Sequence, residues 1–420
     1  MVFRGCVLLC WVFPSLGFVV PPGGAGSTAG RSVVRFASTL NPLEQLAEQA
    51  QIKAYEVSAA AIATKISMKV AEKEDKLPKG TVPIVQEFMR TYLQVVAAQN
   101  VDPMTKVPVL KQYLALVEDQ IEAPYAFAPY HEAWTAANGS PVDHLAMDTE
   151  FMAPMLDRSD SVLLGEENLL KIEAQLAAGD NVVMLSNHQT EADPSAWSFI
   201  LGEAHADLAR DLILVAGDRV TTDVVAVPFS KARNLLCIFS KRHIENPPEE
   251  KATKMRHNAK TMSAMLRLLK AGGKCIWVAP SGGRDRPDPA TDKYVPAKFD
   301  DKSIEMFRLM GTKAGTKTHY YPVAMMTHRL FPPPKTLTPG ALGEPRIAMR
   351  GSVNVNIGDE IDFDEVTRQG CLIGDFPEGC VDDRDAAAAA ASEFAYLQVK
   401  AGYEALVENA LARNSPYYDN

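Results

Sequence analysis

Five short apolar runs constrain this chain more than any other feature: Val182 to Leu185, Leu212 to Ala216, Leu235 to Phe239, Lys274 to Ala279 and His319 to Met325. Each has the length and near-continuous apolar character of a strand buried on both faces. Between and around them lie stretches with helical spacing, at 165–178, 194–208, 249–271 and 301–314. Strands alternating with helices predict an α/β fold, with a mostly parallel mixed sheet covered by helices. The segment from Arg346 to Phe363 alternates apolar and polar residues and predicts antiparallel strands at one edge, and an alanine-rich helix over 385–412 closes the chain. Sheets of this kind gather ligands in the loops beyond the carboxyl ends of their strands.

Upstream the periodicity is helical throughout. Leu43, Leu46, Ile52, Ala54, Val57 and Ile62 recur at helical spacing, and after a Leu77-Pro78-Lys79-Gly80 break so do Val82, Val85, Phe88, Met89, Tyr92 and Val95. A third set runs from Val107 through Leu110, Tyr113, Leu114 and Val117. These predict a small N-terminal helical bundle at 44–130, ahead of a larger α/β domain at 131–420.

The first 43 residues read as an address. They hold Arg4, Arg31 and Arg35 but no lysine and no acidic residue. Arg4 followed by the apolar run Cys6 to Phe13 has the layout of a secretory signal. The stretch from Phe18 to Leu40 is acid-poor and hydroxylated, like an organellar transit peptide. Together they resemble the two-part leader of a plastid of secondary endosymbiotic origin, which is removed on arrival. A plain secretory signal ahead of a disordered start is the alternative. Downstream no apolar stretch approaches the ~18 residues of a membrane span, so no transmembrane segment is expected in the mature chain.

Charge and cysteine usage narrow the partners. A formal net charge of -9 gives the whole chain no electrostatic reason to bind nucleic acid. Beyond the leader, Cys237, Cys275, Cys371 and Cys380 lack the close pairing of a zinc site, so neither metal nor structural disulfide is expected. No cofactor motif is present, and none is expected.

The chemistry concentrates after the first of the five runs, where Ser186-Asn187-His188-Gln189-Thr190-Glu191-Ala192-Asp193 forms a strand-to-helix loop. A carboxylate that accepts one imidazole N–H fixes the tautomer and stabilises the imidazolium, so His188 with Asp193 would make a general base. Asp193 before Pro194 is equally a good helix cap. Positive groups recur at other strand ends, in Gly217-Asp218-Arg219, Phe229 to Asn234, Lys241-Arg242-His243 and Ser281-Gly282-Gly283-Arg284-Asp285-Arg286. Guanidinium forks beside paired glycines suit a phosphate. A turn in which Arg284 and Arg286 pair with Asp285 and Asp288 is the structural alternative.

Asn187-His188-xxxx-Asp193 resembles the HxxxxD motif of glycerolipid acyltransferases. Joined with Val215 to Val220, Asn234 to Cys237 and Ala279 to Pro289, it closely resembles the soluble plastid glycerol-3-phosphate acyltransferases, most densely over 181–333. Membrane-bound relatives carry an EGTR-type block where this chain has Ser281 to Arg286. The resemblance implies His188 and Asp193 as the catalytic pair, and Arg242, His243, Arg284 and Arg286 as contacts to glycerol 3-phosphate. The family commonly has lysine before that second histidine, whereas here Arg242 stands there, preceded by Lys241. The implied reaction moves an acyl group from a thioester to the sn-1 hydroxyl, giving lysophosphatidate.

The implied donor is acyl carrier protein or acyl-CoA. Between Lys231 and Lys274 there are 11 basic and 3 acidic residues, a local excess of 8 in an acidic chain, which suits either donor. A lysophosphatidate acyltransferase, or a non-catalytic phospholipid- or phosphate-binding protein on the same fold, are the competing readings.

Overall fold

The structure, a computed structural model, describes residues 41–240, 244–333, 346–368 and 384–418. The chain divides into residues 1–45 and 46–420. In the first unit the described residues, 41–45, begin a helix capped reciprocally: Asn41 Oδ1 accepts from the Glu44 amide at 2.9 Å and Glu44 Oε2 from the Asn41 amide at 2.8 Å.

In the second unit α1 (Pro42–Ala71) continues, followed by α2 (Thr81–Ala98), α3 (Val107–Glu122), β1 (Tyr130–His131), α4 (His144–Met152), β2 (Val162–Leu164) and α5 (Glu166–Ala177). Then come β3 (Asn181–Ser186), α6 (Asp193–Leu201), α7 (Ala206–Asp211), β4 (Ile213–Ala216), the short α8 (Arg219–Thr222) and α9 (Val227–Ser230), and β5 (Asn234–Cys237). The remainder is α10 (Lys251–Ala271), β6 (Cys275–Val278), α11 (Asp301–Ala314), β7 (Thr318–Met326), β8 (Asn354–Ile357), α12 (Phe363–Arg368) and α13 (Arg384–Ala412).

All five apolar runs are strands, and they form the continuous parallel block β5-β4-β6-β3-β7 of one eight-stranded sheet ordered β1-β5-β4-β6-β3-β7-β8-β2. β1 and β8 run antiparallel to their neighbours β5 and β7, and β2 pairs parallel with β8. The fold is therefore α/β with a mostly parallel mixed sheet, and the 346–363 segment supplies an antiparallel strand. Because β3, β4, β6 and β7 point the same way, their carboxyl ends share one edge.

Alternation along β3 shows how the sheet is buried. Val182 and Met184 face a core with residues of α2 to α6, whereas Val183 and Leu185 face α10, α11 and α13. On the first side an aromatic knot joins the helical N-terminal region to this layer. Phe151 of α4 stacks on Tyr92 of α2 at 4.5 Å and lies 5.1 Å from Tyr113 of α3 and 5.2 Å from Phe229 of α9.

Two helix expectations need correction. The 194–208 helix is broken into α6 and α7 at Gly202, whose φ of 61° no helical residue adopts. The recurrence of Leu46 and Val57 does not mark a core face: they are 62% and 72% exposed, and α1 instead buries Ala59, Ala63 and Ile66. Two of these three buried residues are alanines, whose weak apolar signal does not stand out from spacing alone.

Candidate active site

The loop 187–192 leaves the carboxyl end of β3, the strand flanked by β6 and β7. It is tied down by its own amide side chains. Asn187 Oδ1 accepts from the Met325 amide at 2.7 Å while its Nδ2 donates to the Met325 carbonyl at 2.9 Å. Gln189 Oε1 accepts from the amides of Thr327 and His328 at 2.8 and 3.1 Å, and its Nε2 donates to the Tyr403 hydroxyl at 3.2 Å. Such a loop is an extension of the sheet, anchored to the end of β7.

His188 projects from it, with a quarter of its side chain exposed, and its Nδ1–H donates to Asp193 Oδ2 at 2.7 Å. Since a carboxylate only accepts, this bond leaves Nε2 of the neutral ring as the acceptor. Trp277 of β6 meets the imidazole edge-on at 5.8 Å. Asp193 is fully buried; the Gln189 and Thr190 amides also donate to Oδ2, at 2.8 and 3.3 Å, and the Thr327 hydroxyl donates to Oδ1. The helix-cap half of the Asp193 expectation does not hold: Asp193 is the first residue of α6, Ala192 stands at the cap position, and no side chain caps there. Its carboxylate turns back onto the loop, where these donors occupy it.

The arginine loop follows β6. A turn with Gly282 at φ 69°, a conformation suited to glycine, closes on a hydrogen bond donated by the Gly282 amide to the Ala279 carbonyl at 3.0 Å. The loop is then fastened to the histidine loop through Asp285, whose amide donates to the His188 carbonyl at 2.6 Å. Asp285 is completely buried, accepts from Asn187 Nδ2 at 2.8 Å and from the Ala297 amide at 2.9 Å, and burial pushes its carboxyl up to about 6. This places Arg284 beside the histidine loop, 3.7 Å from Glu191 Oε1, with 13% of its side chain exposed. Arg286, two residues on, is partly buried in the same loop. Arg242 and His243, the other two expected phosphate contacts, lie outside the described residues, as do Cys371 and Cys380.

Glu191 carries an arrangement that residue patterns did not reveal. Arg346 donates Nε to Glu191 Oε2 and Nη2 to Asp223 Oδ2, both at 2.6 Å, so it bridges the histidine loop to the segment after β4. Burial would raise the Glu191 carboxyl, but Arg346 and Arg284 outweigh it and hold it below its ordinary value. Glu191 was visible only as part of the motif; Arg346, 155 residues away in sequence, has no local signal at all.

Not every cation near a strand serves the site. Lys231 is buried with its ammonium 4.4 Å from the Trp134 ring centre, and Arg233 is buried in an ion pair with Asp148, which also accepts from Ser195 Oγ at 2.8 Å. The Phe229 to Asn234 block thus serves packing and the placement of α6. Cys237 and Cys275 are buried in β5 and β6 as free thiols, and burial pushes Cys237 up to about 12. No helix among the described residues is long and apolar enough to cross a membrane.

Residues 165–326 match the acyltransferase family model, a span that contains β3, β4, β5, β6 and β7, His188, Asp193 and Arg284. Among curated proteins, the chain is 32% identical over 313 residues to the chloroplastic glycerol-3-phosphate acyltransferase of Spinacia oleracea, covering 74% of this chain and 63% of that protein. It is 36% identical over 295 residues to that of Carthamus tinctorius, covering 69% and 62%. With that of Arabidopsis thaliana it shares 36% identity over 247 residues, covering 59% and 53%. The chain thus spans between about half and a little under two thirds of the length of these relatives.

Proposed function

We propose that the acyltransferase-family domain at 165–326 gives this chain the activity its relatives are named for, the acylation of glycerol 3-phosphate. The observation that carries the reading is the His188–Asp193 pair, fixed at 2.7 Å on the loop beside Arg284. Arg284 and Arg286, with Arg242 and His243, hold the phosphate, and the sn-1 hydroxyl is then presented to His188 Nε2. His188 takes the hydroxyl proton as the oxygen attacks the thioester carbonyl; the C–S bond breaks, and the leaving sulfur recovers that proton as a thiol. Asp193 fixes the tautomer and stabilises the transient imidazolium. Holding the phosphate makes the attack effectively intramolecular, a large part of the rate gain in such reactions. The test is the product: the purified chain, supplied with glycerol 3-phosphate and an acyl thioester, should form 1-acyl-glycerol 3-phosphate, and absence of that product with every donor would refute the reading.

An acidic acyl carrier protein is the donor this reading favours. The helix α10 bears Lys251, Lys254, Arg256, Lys260, Arg267 and Lys270 and no acidic residue. Lys254 is buried, but Arg256, Lys260, Ser263, Arg267 and Lys270 follow a spacing of four, three, four and three residues along an exposed face. That stripe is roughly 21 Å long at 1.5 Å per residue, a length suited to a partner's helix more than to a single phosphate. Lys260 and Arg267 line an open groove of about 370 Å³ with Pro129, Ala259 and Ser263. The chloroplastic relatives support a plastid destination, with residues 1–43 as the leader; of that leader, residues 1–40 lie outside the described structure.

A further inference from the structure

Asp193 is sealed from water, and a carboxylate there needs a donor on each oxygen. Oδ2 has three: His188 Nδ1–H and the amides of Gln189 and Thr190, all from the loop immediately before it. Oδ1 has a donor from elsewhere in the chain, the hydroxyl of Thr327, the residue after β7. Thr327 is itself 1% exposed, and its backbone amide donates to Gln189 Oε1 at 2.8 Å. Its side chain is β-branched, so χ1 is restricted, and the hydroxyl is aimed by a residue held at both backbone and side chain.

We infer that Thr327 is a positioning residue for the His188–Asp193 pair, its hydroxyl pinning Oδ1 to the end of β7 so that Oδ2 faces the imidazole. The inference rests on the general-base reading of His188 above. Three bonds on one oxygen fix where the carboxylate is; the bond on the other oxygen fixes its rotation about Cβ–Cγ. Without that bond, the plane of the carboxylate is free to tilt away from Nδ1, and a buried oxygen is left bare. The imidazole then loses the partner that keeps Nδ1 protonated and Nε2 open to the hydroxyl. Thr327 does not touch substrate in this scheme, so its loss should slow the chemical step and spare phosphate binding.

The experiment compares Thr327→Val, which keeps shape and β-branching but has no donor, with Thr327→Ser, which keeps the hydroxyl, in the full chain. The expected result is a kcat about 10- to 100-fold lower for T327V, as for loss of a hydrogen bond to a buried charge, with KM for glycerol 3-phosphate within about twofold and kcat for T327S within about threefold. Wild-type kcat in T327V, or equal losses in both variants with KM rising alongside, would overturn the inference. A second reading does not depend on turnover. In histidine-labelled protein the His188 Nδ1 proton should give a downfield resonance that moves upfield in T327V and is retained in T327S; an unmoved resonance in T327V would also overturn it. If the wild-type chain forms no product but the resonance behaves as stated, the activity reading fails while the role of Thr327 in fixing the pair stands.

Discussion

Asp193 is bound by the residue five positions before it and by another 134 positions after it, and only the first of these is readable in a sequence. The His188–Asp193 spacing was legible because both ends lie on one loop that has to turn back. Arg284 was legible because a glycine turn after an apolar strand is a local pattern. Thr327, Arg346 and Asp285 were not, since each acts through an atom brought near by the fold of the sheet, and a threonine, an arginine and an aspartate are unremarkable in isolation. The capping role assigned to Asp193 failed for the same reason: a carboxylate claimed by tertiary partners is not available to the helix. At this scale Arg284→Ala is expected to raise KM for glycerol 3-phosphate about 10- to 100-fold, the loss of one charge-assisted contact, with kcat little changed. Glu191 keeps its bond to Arg346 in that variant, so the loop should survive. Steady-state kinetics checks this, and an unchanged KM would remove Arg284 from the phosphate site.

Elements were more legible than residues. The five strands, and the helices α5, α10, α11 and α13, fall where periodicity puts them, because burial on two sides leaves an unmistakable apolar run and a covering helix leaves a stripe. What periodicity could not give was strand order or the face of α1, where alanines make the contact and exposed Leu46 and Val57 mislead. Nor could counting charges separate buried Lys231, Arg233 and Lys254 from the exposed row on α10. That row is the test of the donor assignment. Lys260→Glu with Arg267→Glu should raise KM for an acyl-carrier-protein donor at least about tenfold, and the effect should shrink as salt rises. KM for glycerol 3-phosphate should not move. An equal KM for the carrier donor before and after charge reversal would place the docking surface elsewhere.

Across the whole molecule, the sheet brings the carboxyl ends of five parallel strands from distant parts of the sequence to one edge, and the helical N-terminal region is joined to that layer through Phe151 and its aromatic neighbours. The leader is a separate matter of address: a fluorescent protein fused behind residues 1–43 should be imported into a plastid, and secretion would reverse the localisation. His188 acting as the base is what the proposed reaction depends on most. The most direct measurement is glycerol-3-phosphate-dependent thiol release by wild type and His188→Ala, with folding of both followed by circular dichroism. The expected variant folds normally and releases thiol at least about a thousandfold more slowly, within the range general-base catalysis supplies. A folded variant within about tenfold of the wild-type rate would contradict that role for His188.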